Sequence, residues 1–217
     1  MFKDRTDAGR QLAEKLKAYK NDPDVIVFAI PRGGVVVADE ICSKLNLPMD
    51  VVVTRKLGAP FNEELAIGAV DPLGEVALNQ YAINMLRVGK DYIEQESRIK
   101  LQEVKERLKK YRGKDTYDDL TDKKVLLVDD GIATGYTVIA AINFLKGLNP
   151  KKIVLAVPVI APDTLLQLKK LADEVVCIIS EEPFYAVGQF YENFAQVSDE
   201  EVMEILSKYI SPSPQDT

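Results

Sequence analysis

Histidine is missing from all 217 residues of the chain. That absence removes the usual general base near neutral pH, the commonest zinc ligand and every nucleophilic mechanism built on a Ser/His or Cys/His pair. Cysteine is scarce too. Cys42 and Cys177 sit in apolar periodic segments, and no second pair completes a metal-binding spacing, so both read as buried free thiols rather than as a disulfide. Long apolar runs are also lacking: no stretch is long enough to cross a bilayer, and the opening MFKDRTDAGRQ has no apolar centre of the secretory kind. A cytoplasmic protein with no membrane partner is expected. The formal net charge of −6 argues against nucleic acid as a partner.

What is present is a hydrophobic fraction of 47%, enough for one domain with a full core. A single domain over residues 1–210 is expected, with residues 211–217 as a disordered tail. Apolar periodicity gives a helix over 6–20, started by Thr6 or Asp7 with Leu12 and Leu16 on one face, then a buried strand at VIVFAI (25–30). A helix through Ala38 to Leu45 and a strand DVVVT (50–54) follow. LAIGAV and EVALNQ, joined by DPLG, read as a hairpin. Residues 90–112 carry Ile93, Leu101, Val104 and Leu108 at helical spacing, with their charges on a solvated face. Beyond them come a strand KVLLVD, a helix over 136–147, a strand KIVLAVPV, a helix near 162–171 and a strand EVVCIIS. Apolar strands alternating with helices imply an α/β fold with a parallel twisted sheet covered by helices on both faces.

The stretch VLLVDDGIATGYT (125–137) departs from this pattern. Asp129 and Asp130 lie where a parallel sheet exposes the carboxyl ends of its strands to ligands. Paired carboxylates repel each other and resist burial, so a cation or a set of hydrogen-bond donors is expected beside them. Gly131, Ile132, Ala133, Thr134, Gly135 and Thr137 then open a helix with backbone amides uncovered and two hydroxyls to spare, which is an anion site. Acceptors beside donors suit a ribose 5-phosphate: the acids take the ring hydroxyls and the loop takes the phosphate.

An apolar strand, two acids and a T-G-x-T loop resemble the phosphoribosyl diphosphate (PRPP) signature of the type I phosphoribosyltransferases. AIPRGG (29–34) stands in the place of that family's pyrophosphate loop, where Gly33 and Gly34 admit a diphosphate to the backbone and Arg32 offers it a fork of donors. The resemblance implies a cis peptide between Pro31 and Arg32. It also implies a mobile loop at TRKLGAPFNEE, with Arg55 and Lys56 reaching the diphosphate. PFYAVGQFYENF resembles the family's hood, here residues 181–197, with Phe184, Tyr185 and Val187 as base-binding residues. A simpler reading of those aromatics is a small satellite core.

The activity implied is transfer of a phosphoribosyl group from PRPP to a small nitrogen acceptor, a nucleobase or related amine, in nucleotide metabolism. Asp129, Asp130, Arg32 and Lys56 would be the catalytic set. Mg²⁺ is the expected cofactor, held mainly by PRPP near the two acids. The oligomeric state stays open, a homodimer being one option. Family members acting on 6-oxopurines carry an acid at the third loop position and a lysine near the end of the next strand. Here Ala133 and Leu155 or Ala156 stand in those places, which disfavours hypoxanthine and guanine. A non-catalytic PRPP-sensing module of the same fold is the alternative. A phosphoacceptor receiver domain would need a later strand-end acid, but Asp173 follows a helical segment. A Rossmann dinucleotide site lacks its glycine fingerprint.

Overall fold

The computed structural model describes residues 1–210; the tail expected over 211–217 lies outside them. Helix α1 (Arg5–Lys15) is followed by β1 (Val25–Ala29), α2 (Gly33–Leu45) and β2 (Met49–Val51). Three further strands, β3 (Arg55–Ala59), β4 (Asn62–Val70) and β5 (Val76–Leu78), lead to α3 (Gln80–Leu86) and the long α4 (Lys90–Arg112). The chain then alternates through β6 (Lys124–Val128), α5 (Tyr136–Lys146), β7 (Lys152–Val159), α6 (Pro162–Leu168) and β8 (Glu174–Ile179), and ends in α7 (Asp199–Leu206).

Five strands form a parallel sheet in the order β2-β1-β6-β7-β8. Their side chains alternate between two cores, as the two-residue strand period demands. Val27, Ala29, Leu126, Val128, Val154 and Ala156 face α1, α2 and the inner side of α4. Phe28, Val125, Leu127, Ile153, Leu155 and Val157 face α5 and α6. From β1 the chain steps outward to β2 on one side, and it later returns as β6 on the other side of β1. The loops after β1 and β6 therefore diverge to opposite faces and leave a crevice at the carboxyl ends, the usual ligand position in sheets of this kind.

Three expectations need correction. The segment 50–54 belongs to the sheet only as far as Val51, and residues 55–59, read as loop, are a strand. With β4 and β5 they form a separate antiparallel flap. The helix expected at 6–20 runs only from Arg5 to Lys15, followed by a 3-10 turn over Lys17–Tyr19, and is capped by Asp4, whose carboxylate accepts a hydrogen bond from the Asp7 amide at 2.8 Å. Cys42 is buried, but Cys177 is only partly so; both are free thiols.

The charges of α4 are not all solvated. Arg112 is 5% exposed and donates from Nε and Nη2 to the two oxygens of Asp50, at 2.7 and 2.9 Å. Its Nη1 donates to the Thr116 carbonyl at 2.7 Å, and its guanidinium lies 3.9 Å from the centre of the Tyr117 ring. The pair ties the end of α4 to β2. Removing one partner of a buried pair leaves the other charge uncompensated, at a cost of about 3–5 kcal/mol. Arg112→Met should therefore lower the unfolding free energy in urea by about 3 kcal/mol or more, and Arg112→Met with Asp50→Leu should recover part of that loss. Equal stability of the parent and the single variant would contradict this role.

Candidate active site

Register places the two crevice loops side by side, because Ala29 pairs with Val128 and both strands end there. Pro31, Arg32 and Gly33 thus meet Asp129 and Asp130 across an open cleft of ≈ 450 Å³. Arg5, Lys56, Thr137, Val187 and Phe194 line the same space. The Pro31–Arg32 peptide is cis, as the resemblance implies.

The loop after the acids is fastened from β7 and α6. Ile132 donates its amide to the Val159 carbonyl at 2.9 Å and accepts from the Ala161 amide at 2.9 Å. Thr164 Oγ1 donates to the Ala133 carbonyl at 2.5 Å. Gly135, at φ +79°, turns the chain into α5, and a β-carbon there would press on the Thr164 methyl at 2.7 Å. Among the described residues, the amides from Ala133 through Val138 donate no hydrogen bond. They sit in the loop and first turn of an eleven-residue helix, where an anion is favoured. The flap closes this side: Lys56 and Ala66, with Val187, complete a ≈ 220 Å³ recess over residues 131–138.

Asp130 is not free. Arg5 Nε donates to its Oδ2 at 2.6 Å, and the two side chains are 11% and 16% exposed. The Tyr191 hydroxyl donates to the Asp130 carbonyl at 2.5 Å. Among the described residues Asp129 makes no salt bridge; its Oδ1 accepts from the Asp130 amide at 2.8 Å. Burial pushes the Asp129 carboxyl well above the usual range, and the neighbouring charge of Asp130 adds to the shift. Burial raises the Asp130 carboxyl too, while Arg5 pulls it back.

The other expected cations line the cleft but are engaged with acids. Arg32 Nη1 is 3.9 Å from Asp199, Arg55 Nη2 is 2.8 Å from Glu103, and Lys56 Nζ is 3.3 Å from Glu64. Arg55 Nε is buried without a partner. Of the base-binding candidates, Val187 lines the cleft. Phe184 packs against Phe190 with ring centres 5.2 Å apart, and Tyr185 is 84% exposed. Those two belong to a satellite cluster and the surface, so the aromatic in the cleft is Phe194. Leu155 is also misplaced by the sequence reading: it is fully buried, because β7 runs on to Val159. The residues at that strand end, Val159, Ile160 and Ala161, still include no cation.

Sequence reasoning missed Arg5 and Thr164, and it placed Phe194 in the aromatic hood segment without singling it out. The need for a cation beside the acids was legible, but 125 residues separate Arg5 from Asp130 and no spacing encodes their contact.

A parallel sheet with an acid pair and an open-amide loop at its switch point sets hydrogen-bond acceptors and donors side by side in one cleft. A family model described as the phosphoribosyl transferase domain matches residues 2–195, and the chain belongs to that family. A Mycobacterium tuberculosis protein, whose name marks its phosphoribosyl transferase assignment as provisional, is 43% identical over 211 residues. The match covers 96% of this chain and 47% of that protein, so the chain spans about half the length of such curated relatives. A solved protein of Thermus thermophilus is 39% identical with a TM-score of 0.77, over 97% of this chain and 100% of that one. A solved Aquifex aeolicus protein, 14% identical with a TM-score of 0.52, covers 85% of this chain and 78% of its own and shares the fold. Among the described residues no helix is long and apolar enough to cross a membrane.

The raised Asp129 carboxyl has a signed consequence. The folded state keeps a proton that the unfolded chain releases near 3.8, so stability falls as pH rises from there through the folded value and stays reduced above it. Asp129→Asn keeps an oxygen for the Asp130 amide and removes that penalty. Its melting temperature should exceed the parent's at neutral pH by about 2–4 °C per kcal/mol relieved, and the gain should vanish as the pH approaches 4. A gain that grew on acidification would refute the assignment.

Proposed function

We propose that the protein transfers the 5-phosphoribosyl group of PRPP to a small nitrogen acceptor and releases diphosphate. The observation that carries this reading is the convergence of three elements on one cleft: the acid pair, the open amides of residues 133–138 and the loop at 31–34. The 5-phosphate lies on the amides at the start of α5, with Thr134 and Thr137 as further donors. Asp129 and Asp130 accept the ribose hydroxyls and favour the positive charge that develops on the ring. The diphosphate lies toward Arg32 and Gly33, beneath the flap that carries Arg55 and Lys56.

In the reaction the acceptor nitrogen forms a bond to C1 as the C1–O bond to diphosphate breaks, the electron pair leaves with the diphosphate oxygen, and the proton of the acceptor N–H passes to the released diphosphate or to solvent. Fixed geometry, leaving-group neutralisation and exclusion of water carry such a step, and no histidine is needed. Among the described residues no cluster of three metal-binding side chains occurs. Two carboxylates without a protein cage fit a Mg²⁺ that brings most of its oxygen ligands with the substrate. Bound there, Mg²⁺ supplies neutralisation of diphosphate charge. The three cations now paired with Asp199, Glu103 and Glu64 are available to an incoming polyanion by exchange of partners.

Ala133 places no acid beside the base, and the uncharged end of β7 offers no cation to a purine oxygen. A polar edge buried without a partner is strongly disfavoured. Adenine, uracil or another amine therefore fits better than hypoxanthine, guanine or xanthine. A screen of free nucleobases and amines with PRPP and Mg²⁺, read by diphosphate release, should show turnover with a member of the first group and little with the 6-oxopurines. Asp130→Asn should lower kcat/KM by at least about tenfold, the loss of one charge-assisted contact. PRPP binding with no release for any acceptor would replace the enzyme by a sensor of the same ligand.

A further inference from the structure

Arg5 comes from outside both crevice loops yet stands between them. Its Nε is engaged by Asp130 at 2.6 Å, one Nη1 hydrogen goes to the Ala195 carbonyl at 2.7 Å, and its Cζ lies 3.9 Å from the centre of the Phe194 ring. Three contacts of different kinds fix the plane of the guanidinium. A guanidinium carries five N–H donors, and these contacts use two of them.

The other side of Arg5 faces the 31–34 loop. A β-carbon on Gly33 would fall against Asp130 Oδ2 and lie 2.6 Å from Arg5 Nε, so the loop approaches the ion pair as closely as a glycine allows. The cation thus adjoins both the acid assigned to the ribose and the loop assigned to the diphosphate. Its backbone is anchored as well. Phe2 is 1% exposed, donates its amide to the Phe190 carbonyl at 2.7 Å and accepts from the Glu192 amide at 2.8 Å, while Lys3 accepts from the Asn193 amide at 2.9 Å.

Building on the phosphoribosyl transfer reading, we propose that Arg5 is a diphosphate-binding residue, set in position by Asp130, Ala195 and Phe194 and presenting its remaining N–H groups to the leaving group. Unlike Arg32, Arg55 and Lys56, it needs no exchange of carboxylate partners to act. Asp130 keeps its second oxygen for a ribose hydroxyl, so one acid can orient the cation and the sugar together.

The test is calorimetric binding of inorganic diphosphate with Mg²⁺, a probe without ribose or base, to the parent, Arg5→Gln, Asp130→Asn and the double variant. Arg5→Gln should weaken diphosphate binding by roughly 10- to 100-fold, the effect of one charge-assisted hydrogen bond. It should do so in the Asp130→Asn background too. Arg5→Lys, which keeps the charge and loses the fork, should fall between parent and Arg5→Gln and serves if the glutamine variant does not fold. If Arg5 only neutralises Asp130, its substitution will matter when Asp130 is intact and not in the Asp130→Asn background, and the proposal is overturned. Equal binding by the parent and Arg5→Gln overturns it as well, with the phosphoribosyl reading left standing. A parent that binds no diphosphate defeats both.

Discussion

Asp129 and Asp130 leave the sheet together at the end of β6, where one carboxylate is costly to bury and two repel each other. Much of the surrounding structure answers that constraint. Arg5 compensates one acid, the Asp130 amide satisfies an oxygen of the other, and Tyr191 fixes the backbone between strand and loop. The residual cost shows as an Asp129 carboxyl pushed well above the usual range by burial and by the neighbouring charge of Asp130. An arrangement that is electrostatically unfavourable when empty and rich in acceptors has much to gain from a ligand bringing hydroxyl donors and positive charge. Stability given up at a site of this kind is a common mark of function.

The other cations that line the cleft are occupied as well. Arg55 and Lys56 sit on the flap, held by Glu103 of α4 and Glu64 of the flap itself. Arg32 shares Asp199 with Lys110 and Tyr111, and hydrogen bonds from the latter two hold that acid down at about 2. Partly exposed pairs of this sort are weak, so they keep the cations near the cleft without locking them. By contrast, Ile132 and Ala133 of the loop after the acids are bonded to the end of β7 and the start of α6. The loop side of the cleft is thus tied to the sheet through backbone bonds, and the side that carries the cations is held through partly exposed ion pairs.

How much of this the sequence discloses follows from the range of each interaction. The alternation of apolar strands with helices is local and was legible, as was the acid pair followed by small residues and hydroxyls. The flap was half legible, since β4 and β5 are joined by a turn signal while RKLGA has the charges of a loop. Helix α7 went unread although Ser198 and Glu201 form a capping box that announces it. Leu155 was placed at a strand end because apolar composition does not say where a buried strand stops. Arg112, in a run of charges along α4, looks no different from its solvated neighbours, and only the fold brings Asp50 beneath it. Phe194 stands in the aromatic run read as a hood, and only its place in the cleft came from the fold; Arg5 was invisible for the same reason as Arg112, because its role depends on contacts between distant parts of the chain.

That last dependence bears on how the protein is made. Arg5 must wait 125 residues for Asp130 and 190 for the Ala195 carbonyl that completes its setting. A nascent chain emerging from the ribosome can form the α1–α2 layer and the first strand early, but the cleft stays unfinished until the aromatic segment near residue 190 is released. Such long loops close slowly. During synthesis the acid pair exists before its cation can be seated, so a chain that stops short of residue 195 carries the sheet strands without the full setting of Arg5.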